Sequence, residues 1–187
     1  MRRLFVALSL PDHVVDALAR LQSGMRGARW IPRNNYHMTL AFIGETDRHG
    51  LNEIASALAA AGAPAFDLRL RECGFFGDKK PRALWVGAEA NHNLAHLQSK
   101  VETALKRAGF PLEKRKFIPH VTLAYLHGTT PEAAAEFCAV NGLFSAGPFP
   151  VREFHLFESH LGSEAAHYEI VASYDLTLAQ ESRLSAG

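Results

Sequence analysis

Two short segments of the sequence carry the same pattern of polar and apolar residues. Residues 37–42 read HMTLAF and residues 120–125 read HVTLAY. An imidazole has an unperturbed pKa of about 6.5, so at neutral pH one histidine of a pair can be protonated while the other is neutral. Phosphodiester cleavage uses such a pair, one group to deprotonate the attacking oxygen and the other to protonate the departing oxygen. His37 and His120 are therefore the candidate catalytic residues.

Both segments are predicted β-strands, in which successive side chains point to opposite faces. One face then carries the polar residues His37, Thr39, His120 and Thr122. A threonine hydroxyl on that face can donate to a non-bridging phosphate oxygen, so Thr39 and Thr122 are candidate substrate-binding residues. The arrangement requires no metal and no cofactor. By strict alternation the other face, turned to the core, carries Met38, Leu40, Phe42, Val121, Leu123 and Tyr125.

Length and composition indicate one globular domain over residues 1–187, with 48% hydrophobic and 21% charged residues. Cys73 and Cys138 are too few for a disulfide framework and indicate a reducing cytosol, where we expect them to be small buried thiols. The apolar runs are far shorter than the roughly 20 residues of a membrane helix. The start, MRRLFVALSLPDH, is interpreted as a first strand and not as a signal peptide. We therefore expect a cytoplasmic protein that has no membrane contact.

The charge balance bears on the kind of ligand. A formal net charge of +1 argues against the broad basic face that duplex nucleic acid requires. RNA ends or small cyclic nucleotides remain as ligands. Basic clusters at 78–82 and 113–117 are cation candidates for one or two phosphates, or else solvated loops.

Apolar periodicity and turn residues divide the chain into alternating strands and helices. The predicted strands are 3–9, the His37 strand, 65–73, 82–88, 120–126, a strand near 149–158 and 167–178, and the predicted helices are 12–24, 47–61, 91–109 and 131–139. A loop is predicted over ARWIPRNNY, another around Phe76, and a frayed tail from about Gln180. The recurrence of the histidine strand indicates two similar helix-backed lobes that face each other across a groove.

The quoted motifs resemble a known family. RLFVALSLP, WIPRNNYHMTLAFIGE, LWVGA, RKFIPHVTLA and FHLFESHLGSEAAHYEIVASYDL are similar, in order, to segments of the 2H phosphoesterase superfamily, in its RNA 2′,3′-cyclic phosphodiesterase branch, once named 2′-5′ RNA ligase. The resemblance covers nearly the whole chain. It implies a bilobal α+β fold, with two helix-backed, mainly antiparallel sheets and pseudo-twofold symmetry around a central groove. It also implies hydrolysis of RNA 2′,3′-cyclic phosphate ends to 2′-phosphomonoesters, with 2′-5′ ligation as the reverse reaction.

The resemblance implies roles for the histidines, with His120 as the base and His37 as the acid. The near-symmetry of the site leaves the opposite assignment open. Many family members have Arg where this chain has Tyr125, so we predict weaker binding of extended phosphate chains here. Equal affinity of the wild type and Tyr125→Arg would contradict that prediction. Arg115, Lys116 or Arg33 would then supply the positive charge that contacts the phosphates.

Several other side chains are candidates for binding or for packing. Phe42 and Phe76 are candidate stacking partners for a base, with core packing as the alternative for Phe42. Trp30 is expected in the core. His92 and His96 have the spacing of two metal ligands on a helix, but no convincing third ligand accompanies them, so we predict a solvated helix face. Exposed positions are predicted for His155, His160 and His167.

Two functions from different classes fit these residues. The first is a metal-free hydrolase of RNA cyclic phosphate ends, acting as a monomer. The second is a non-catalytic module that binds RNA ends or nucleotides. Intact histidines in both motifs favour the enzyme, because a binding site gains a permanent charge from Arg or Lys instead.

Overall fold

The computed structural model describes residues 1–112, 116–160, 162 and 166–177. Arg115 and the tail from about Gln180 lie outside these residues. The strands are β1 (Arg2–Ser9), β2 (Ala28–Trp30), β3 (His37–Thr46), β4 (Phe66–Phe76), β5 (Ala83–Ala88), β6 (His120–Leu126), β7 (Ser145–Val151), β8 (Glu153–His160) and β9 (His167–Asp175). The helices are α1 (Asp12–Ala19), α2 (Arg48–Ala59), α3 (His92–Arg107) and α4 (Pro131–Val140).

The strands form a curled antiparallel sheet in the order β7-β4-β5-β6-β3-β1-β8-β9, and β2 pairs with β6. The two histidine strands, β3 and β6, are neighbours at the middle of this order, joined through the single pair Met38–Val121. The sheet therefore consists of two four-stranded halves that meet at the histidine strands. The predicted α+β fold with antiparallel, helix-backed sheets is confirmed, and the two sheets are continuous through that one pair.

The two halves repeat the same local register. In each half the histidine strand runs antiparallel to an inner neighbour, β1 for β3 and β5 for β6. In each half the register also shifts by one residue at the same motif position, Leu40 in β3 and Leu123 in β6. Such a shift is a β-bulge, which adds one residue to a strand and reverses the side-chain alternation beyond it.

Helices cover one face of the sheet because each has an apolar stripe at helical spacing. In α3 the buried residues are Leu94, Leu97, Val101 and Leu105, and the Asn91 side chain caps the helix by accepting the Leu94 N–H at 3.0 Å. The core faces of the histidine strands pack against this layer, since Met38, Val121 and Leu123 have no exposed surface. The opposite face of the two strands is left for polar side chains.

Element boundaries differ from the sequence prediction in four places. The first helix ends at Ala19 instead of near Gly24, and the short strand β2 lies in the predicted loop. Strand β4 extends to Phe76, so this residue ends a strand. The predicted strand near 149–158 is two strands, β7 and β8, which lie in different halves of the sheet. The single-sequence pattern missed these features because strand pairing, and not local propensity, sets them.

Two simpler expectations concern the cysteines and the membrane. Cys73 and Cys138 are free thiols, each partly buried. Among the described residues, no helix is both long enough and apolar enough to span a bilayer.

Candidate active site

Both histidines are held in the same way by the backbone. Nδ1 of His37 lies 2.7 Å from the carbonyl oxygen of Asn35, and Nδ1 of His120 lies 2.6 Å from that of Ile118. A carbonyl oxygen only accepts, so Nδ1 carries the hydrogen and donates it. This fixes one tautomer for both rings. Nε2 is then the atom of each imidazole that remains to accept or donate a proton in the reaction.

The strand register places the histidines and threonines together. His37 and Thr39 flank Met38 on β3, and His120 and Thr122 flank Val121 on β6, so all four residues are next to the one pair that joins the strands. The charge of His120 lowers the pKa of His37, so the two rings lie within electrostatic reach of each other. All four side chains are partly buried. Within the described part of the chain, neither threonine hydroxyl has a hydrogen-bond partner, which leaves both to a ligand.

Aromatic rings enclose His37. The ring centroid of Phe5 lies 4.9 Å away, that of Tyr168 lies 5.1 Å away edge-on, and that of Phe157 lies 6.3 Å away. Burial lowers the pKa of His37 below 6.5, the Asn35 hydrogen bond opposes this shift, and the charge of His120 adds to it. The neutral imidazole is therefore the favoured form of His37 in the free protein.

His120 is flanked by different aromatic residues. The Phe76 centroid lies 4.8 Å from that of His120, edge-on, and the Trp85 centroid lies 6.2 Å away. The indole of Trp85 lies against Gly74, where an added Cβ would come within 2.2 Å of it. Sequence reasoning missed Trp85, although its position between the buried Leu84 and Val86 in LWVGA indicates the face opposite the core.

The two bulges change the positions of Phe42 and Tyr125. Both rings were expected on the core side, yet Phe42 is 44% and Tyr125 is 42% exposed. Because each strand gains one residue at Leu40 or Leu123, the aromatic residue that follows faces the same side as the histidine. The prediction of core packing is therefore wrong for both residues. Trp30, by contrast, packs against the core as expected, 6.1 Å from Phe137.

The cations beside these rings were also not predicted. Arg33 forms an ion pair with Asp16, and Lys116 is exposed. The guanidinium carbon of Arg3 instead lies 5.1 Å from the centroid of Phe42. That of Arg29 lies 5.3 Å from the centroid of Tyr125. No local sequence signal identifies either arginine, because the contacts arise from pairing between distant strands.

The remaining histidines are divided between buried and exposed. His155 is only 4% exposed, and its Nδ1 lies 2.8 Å from the Ser173 hydroxyl. Its predicted exposure is wrong because β8 lies between β1 and β9 and residues 154–158 are all buried. Exposure is confirmed for His92, His96, His160 and His167. Among the described residues, no three His, Cys, Asp or Glu side chains are grouped to hold a metal ion.

Comparison with known proteins places these features in a family. The model of the 2′-5′ RNA ligase superfamily matches residues 10–163, which include both histidine strands. The RNA 2′,3′-cyclic phosphodiesterase of Geobacillus stearothermophilus is 30% identical over 98% of this chain, and the chain spans only 60% of that relative's length. The protein of the same name from Thermus thermophilus is 31% identical over 93% of this chain and 90% of its own length.

A solved structure agrees with these relatives. The crystal structure of E. coli LigT complexed with 3′-AMP superposes with a TM-score of 0.77 at 25% identity, and the match covers 94% of this chain and 98% of LigT. The enzyme class expected from the residues is thus confirmed for the relatives, which are named as cyclic phosphodiesterases. The segment that matches the family model contains both histidine strands, which confirms the resemblance. The chain belongs to the 2′-5′ RNA ligase superfamily.

Proposed function

We propose that this protein hydrolyses RNA 2′,3′-cyclic phosphate ends to 2′-phosphomonoesters by acid–base catalysis between His37 and His120. The observation that carries the proposal is the pair of imidazoles on joined strands, each with Nδ1 bound to a backbone carbonyl, so that Nε2 is the ring nitrogen for proton transfer. The names of the relatives support the same substrate class. If the 5′-hydroxyl of another RNA end attacks phosphorus in place of water, the bond to O3′ breaks in the same way and the product is a 2′-5′ linkage.

The proposed step needs only water and the two histidines. The neutral Nε2 of one histidine takes a proton from water, and the water oxygen forms a bond to phosphorus. The bond from phosphorus to O3′ breaks, and the protonated Nε2 of the other histidine gives its proton to O3′. The products are a 2′-phosphate and a free 3′-hydroxyl. Each proton transfer contributes about 10²- to 10⁴-fold to the rate.

Thr39 and Thr122 have a separate task in this proposal. Their hydroxyls lie on the same strand face as the histidines, so they are placed to donate to the non-bridging phosphate oxygens. Negative charge on these oxygens increases as water attacks, so a donor already in position stabilises the transition state more than the ground state.

The assignment of base and acid rests on the difference between the two environments. Burial favours neutral His37 in the free protein, and a neutral imidazole is the form that a base requires. The family resemblance assigns the base to His120 instead. We therefore propose that the two histidines share the roles of base and acid, without assigning either role to one residue. The pH profile of the reaction reports on the pair and not on either residue.

Single substitutions test the pair. We expect His37→Ala and His120→Ala each to reduce hydrolysis of a nucleoside 2′,3′-cyclic phosphate in EDTA by at least about 10²-fold, because each removes one proton transfer. The control is His96→Ala, the same chemical change at an exposed histidine of α3. Circular dichroism and thermal unfolding of each variant establish that it is folded.

Two results would contradict the proposal. Full activity in either histidine variant would exclude the pair as the catalytic groups. Tight binding of the cyclic nucleotide by the wild type, without turnover, would instead identify the protein as a binding module for RNA ends.

A further inference from the structure

Two arginine–aromatic pairs lie on the same side of the sheet as the histidines, one in each half. The guanidinium carbon of Arg3 lies over the ring of Phe42, and that of Arg29 lies over the ring of Tyr125. We propose that Arg3 and Arg29 bind the backbone phosphates of the RNA strand that leads to the cyclic phosphate, so that oligonucleotide ends are preferred to mononucleotides. This inference rests on the proposed function and names its substrate class.

The strands position both arginines toward the site. Arg3 lies two residues before Phe5 on β1, and both therefore share the strand face that carries the contact between Phe5 and His37. Arg29 lies on β2 directly opposite Tyr125 of β6 in the strand register. The exposed rings thus hold one guanidinium group beside each histidine strand, Arg3 over Phe42 of β3 and Arg29 over Tyr125 of β6.

Both guanidinium groups are available to a ligand. Over the residues that the structure describes, neither Arg3 nor Arg29 has a hydrogen bond or an acidic partner. Other arginines form ion pairs: Arg2 with Glu158, Arg33 with Asp16, and Arg69 and Arg71 with Glu89. A cation–π contact uses no N–H donor in a hydrogen bond with an acceptor oxygen, so a guanidinium over a ring can still donate to phosphate oxygens.

The charges of Arg3 and Arg29 both act on a residue that contacts His37. Burial and the neighbouring Tyr125 raise the pKa of Tyr168, while the charges of Arg3 and Arg29 lower it. Both arginines therefore lie within electrostatic reach of the Tyr168 hydroxyl. The ring of Tyr168 contacts His37 with 5.1 Å between centroids. A strand bound by the arginines would therefore end beside the catalytic pair.

The chemistry of the two pairs favours single-stranded RNA over a duplex. A surface for duplex nucleic acid needs a broad basic face, whereas this chain has a net charge of +1. Exposed aromatic rings beside a few cations are the usual way in which proteins bind single strands, since any base can stack on a ring. Phe42 and Tyr125 offer that stacking surface next to the arginines.

The test compares two substrates that end in the same nucleotide 2′,3′-cyclic phosphate, one a mononucleotide and one a tetranucleotide. We expect the wild type to prefer the tetranucleotide in kcat/KM, and Arg3→Gln or Arg29→Gln each to reduce that preference about tenfold, mainly through KM. In a plot of log KM for the tetranucleotide against log salt concentration, the slope should decrease by about 0.7 for each arginine replaced. The control is Arg107→Gln, which removes one positive charge from α3 instead.

The outcomes separate this inference from the proposed function. An unchanged preference in the double variant Arg3→Gln/Arg29→Gln would overturn the phosphate contacts even if hydrolysis is normal. If the wild type hydrolyses neither substrate, fluorescence anisotropy with a labelled tetranucleotide 2′-phosphate still tests the arginines. Weaker, less salt-dependent binding by the double variant would then support them, and equal binding would refute them.

Discussion

Each histidine donates its Nδ1 proton to a backbone carbonyl two residues earlier, to Asn35 for His37 and to Ile118 for His120. This hydrogen bond to a backbone carbonyl orients the ring, whereas in many sites a carboxylate orients the imidazole. Because the acceptor is neutral, it does not hold the histidine in its charged form as a carboxylate would. Burial of the ring is then the main influence on the pKa of His37.

The lowered pKa of His37 has a measurable consequence. Burial disfavours the imidazolium, and the charge of His120 adds to this effect, so His37 should titrate below 6.5. In His120→Ala the added charge is absent, and the pKa of His37 should rise while staying below 6.5. NMR titration of the imidazole C–H resonances measures both values. A His37 pKa above 6.5 in the wild type, or no rise in His120→Ala, would contradict this interpretation.

The sequence correctly predicted which face of the two motif strands carries the polar side chains. It placed the aromatic residues that follow on the wrong face. Alternation placed His37 and Thr39 opposite the core residue Met38, as the structure has them. The same rule failed for Phe42 and Tyr125, because a bulge intervenes. The two adjacent buried residues before each ring, Leu-Ala, are the local sign of that interruption.

Among the elements, the short strand β2 has the most direct effect on the site. It pairs with β6 and sets Arg29 opposite Tyr125. Gly27 precedes β2 with φ of +81°, and an added Cβ there would lie 2.3 Å from the carbonyl oxygen of His127. The His127 amide in turn donates to the carbonyl of Gly27 at 3.0 Å. Gly27 therefore allows the close approach between the start of β2 and the end of β6.

We predict that Gly27→Ala destabilises the fold by about 2 to 4 kcal/mol, since the left-handed backbone and the clash with a carbonyl oxygen both add cost. Gly24→Ala is the matched control, because Gly24 also has a positive φ, of +73°, but has open space around its Cβ position. That control should lose only about 1 kcal/mol. Urea denaturation measures both, and equal losses would show that the close approach at Gly27 is unimportant.

The helices were predictable because caps and apolar stripes are local signals. Asn91 and the stripe of α3, for example, are visible in the sequence. Strand β2 was not predictable, because a three-residue segment that follows a glycine carries no periodicity, and only the partner β6 makes it a strand. The division between β7 and β8 was missed for the same reason, since it depends on which half of the sheet each strand joins.

In the whole molecule, the repeated motif corresponds to a repeated half-sheet. The pairs β3–β1 and β6–β5 share a bulge at the same motif position, β3–β1 has a second shift at Ile43, and β3 and β6 lie side by side through Met38–Val121. Sequence recurrence was enough to predict two similar lobes that meet at the histidines. Their joining into one curled sheet depends on a single residue pair, which no sequence pattern specifies.

Both imidazoles are proposed to serve one phosphate. A crystal structure of the protein with a nucleoside 2′-phosphate, the proposed product, tests this claim directly. We predict that Nε2 of His37 and Nε2 of His120 each lie about 2.6–3.2 Å from oxygens of the same phosphorus atom or of its ester. A phosphate bound to only one of the two rings, or bound elsewhere on the molecule, would contradict the account.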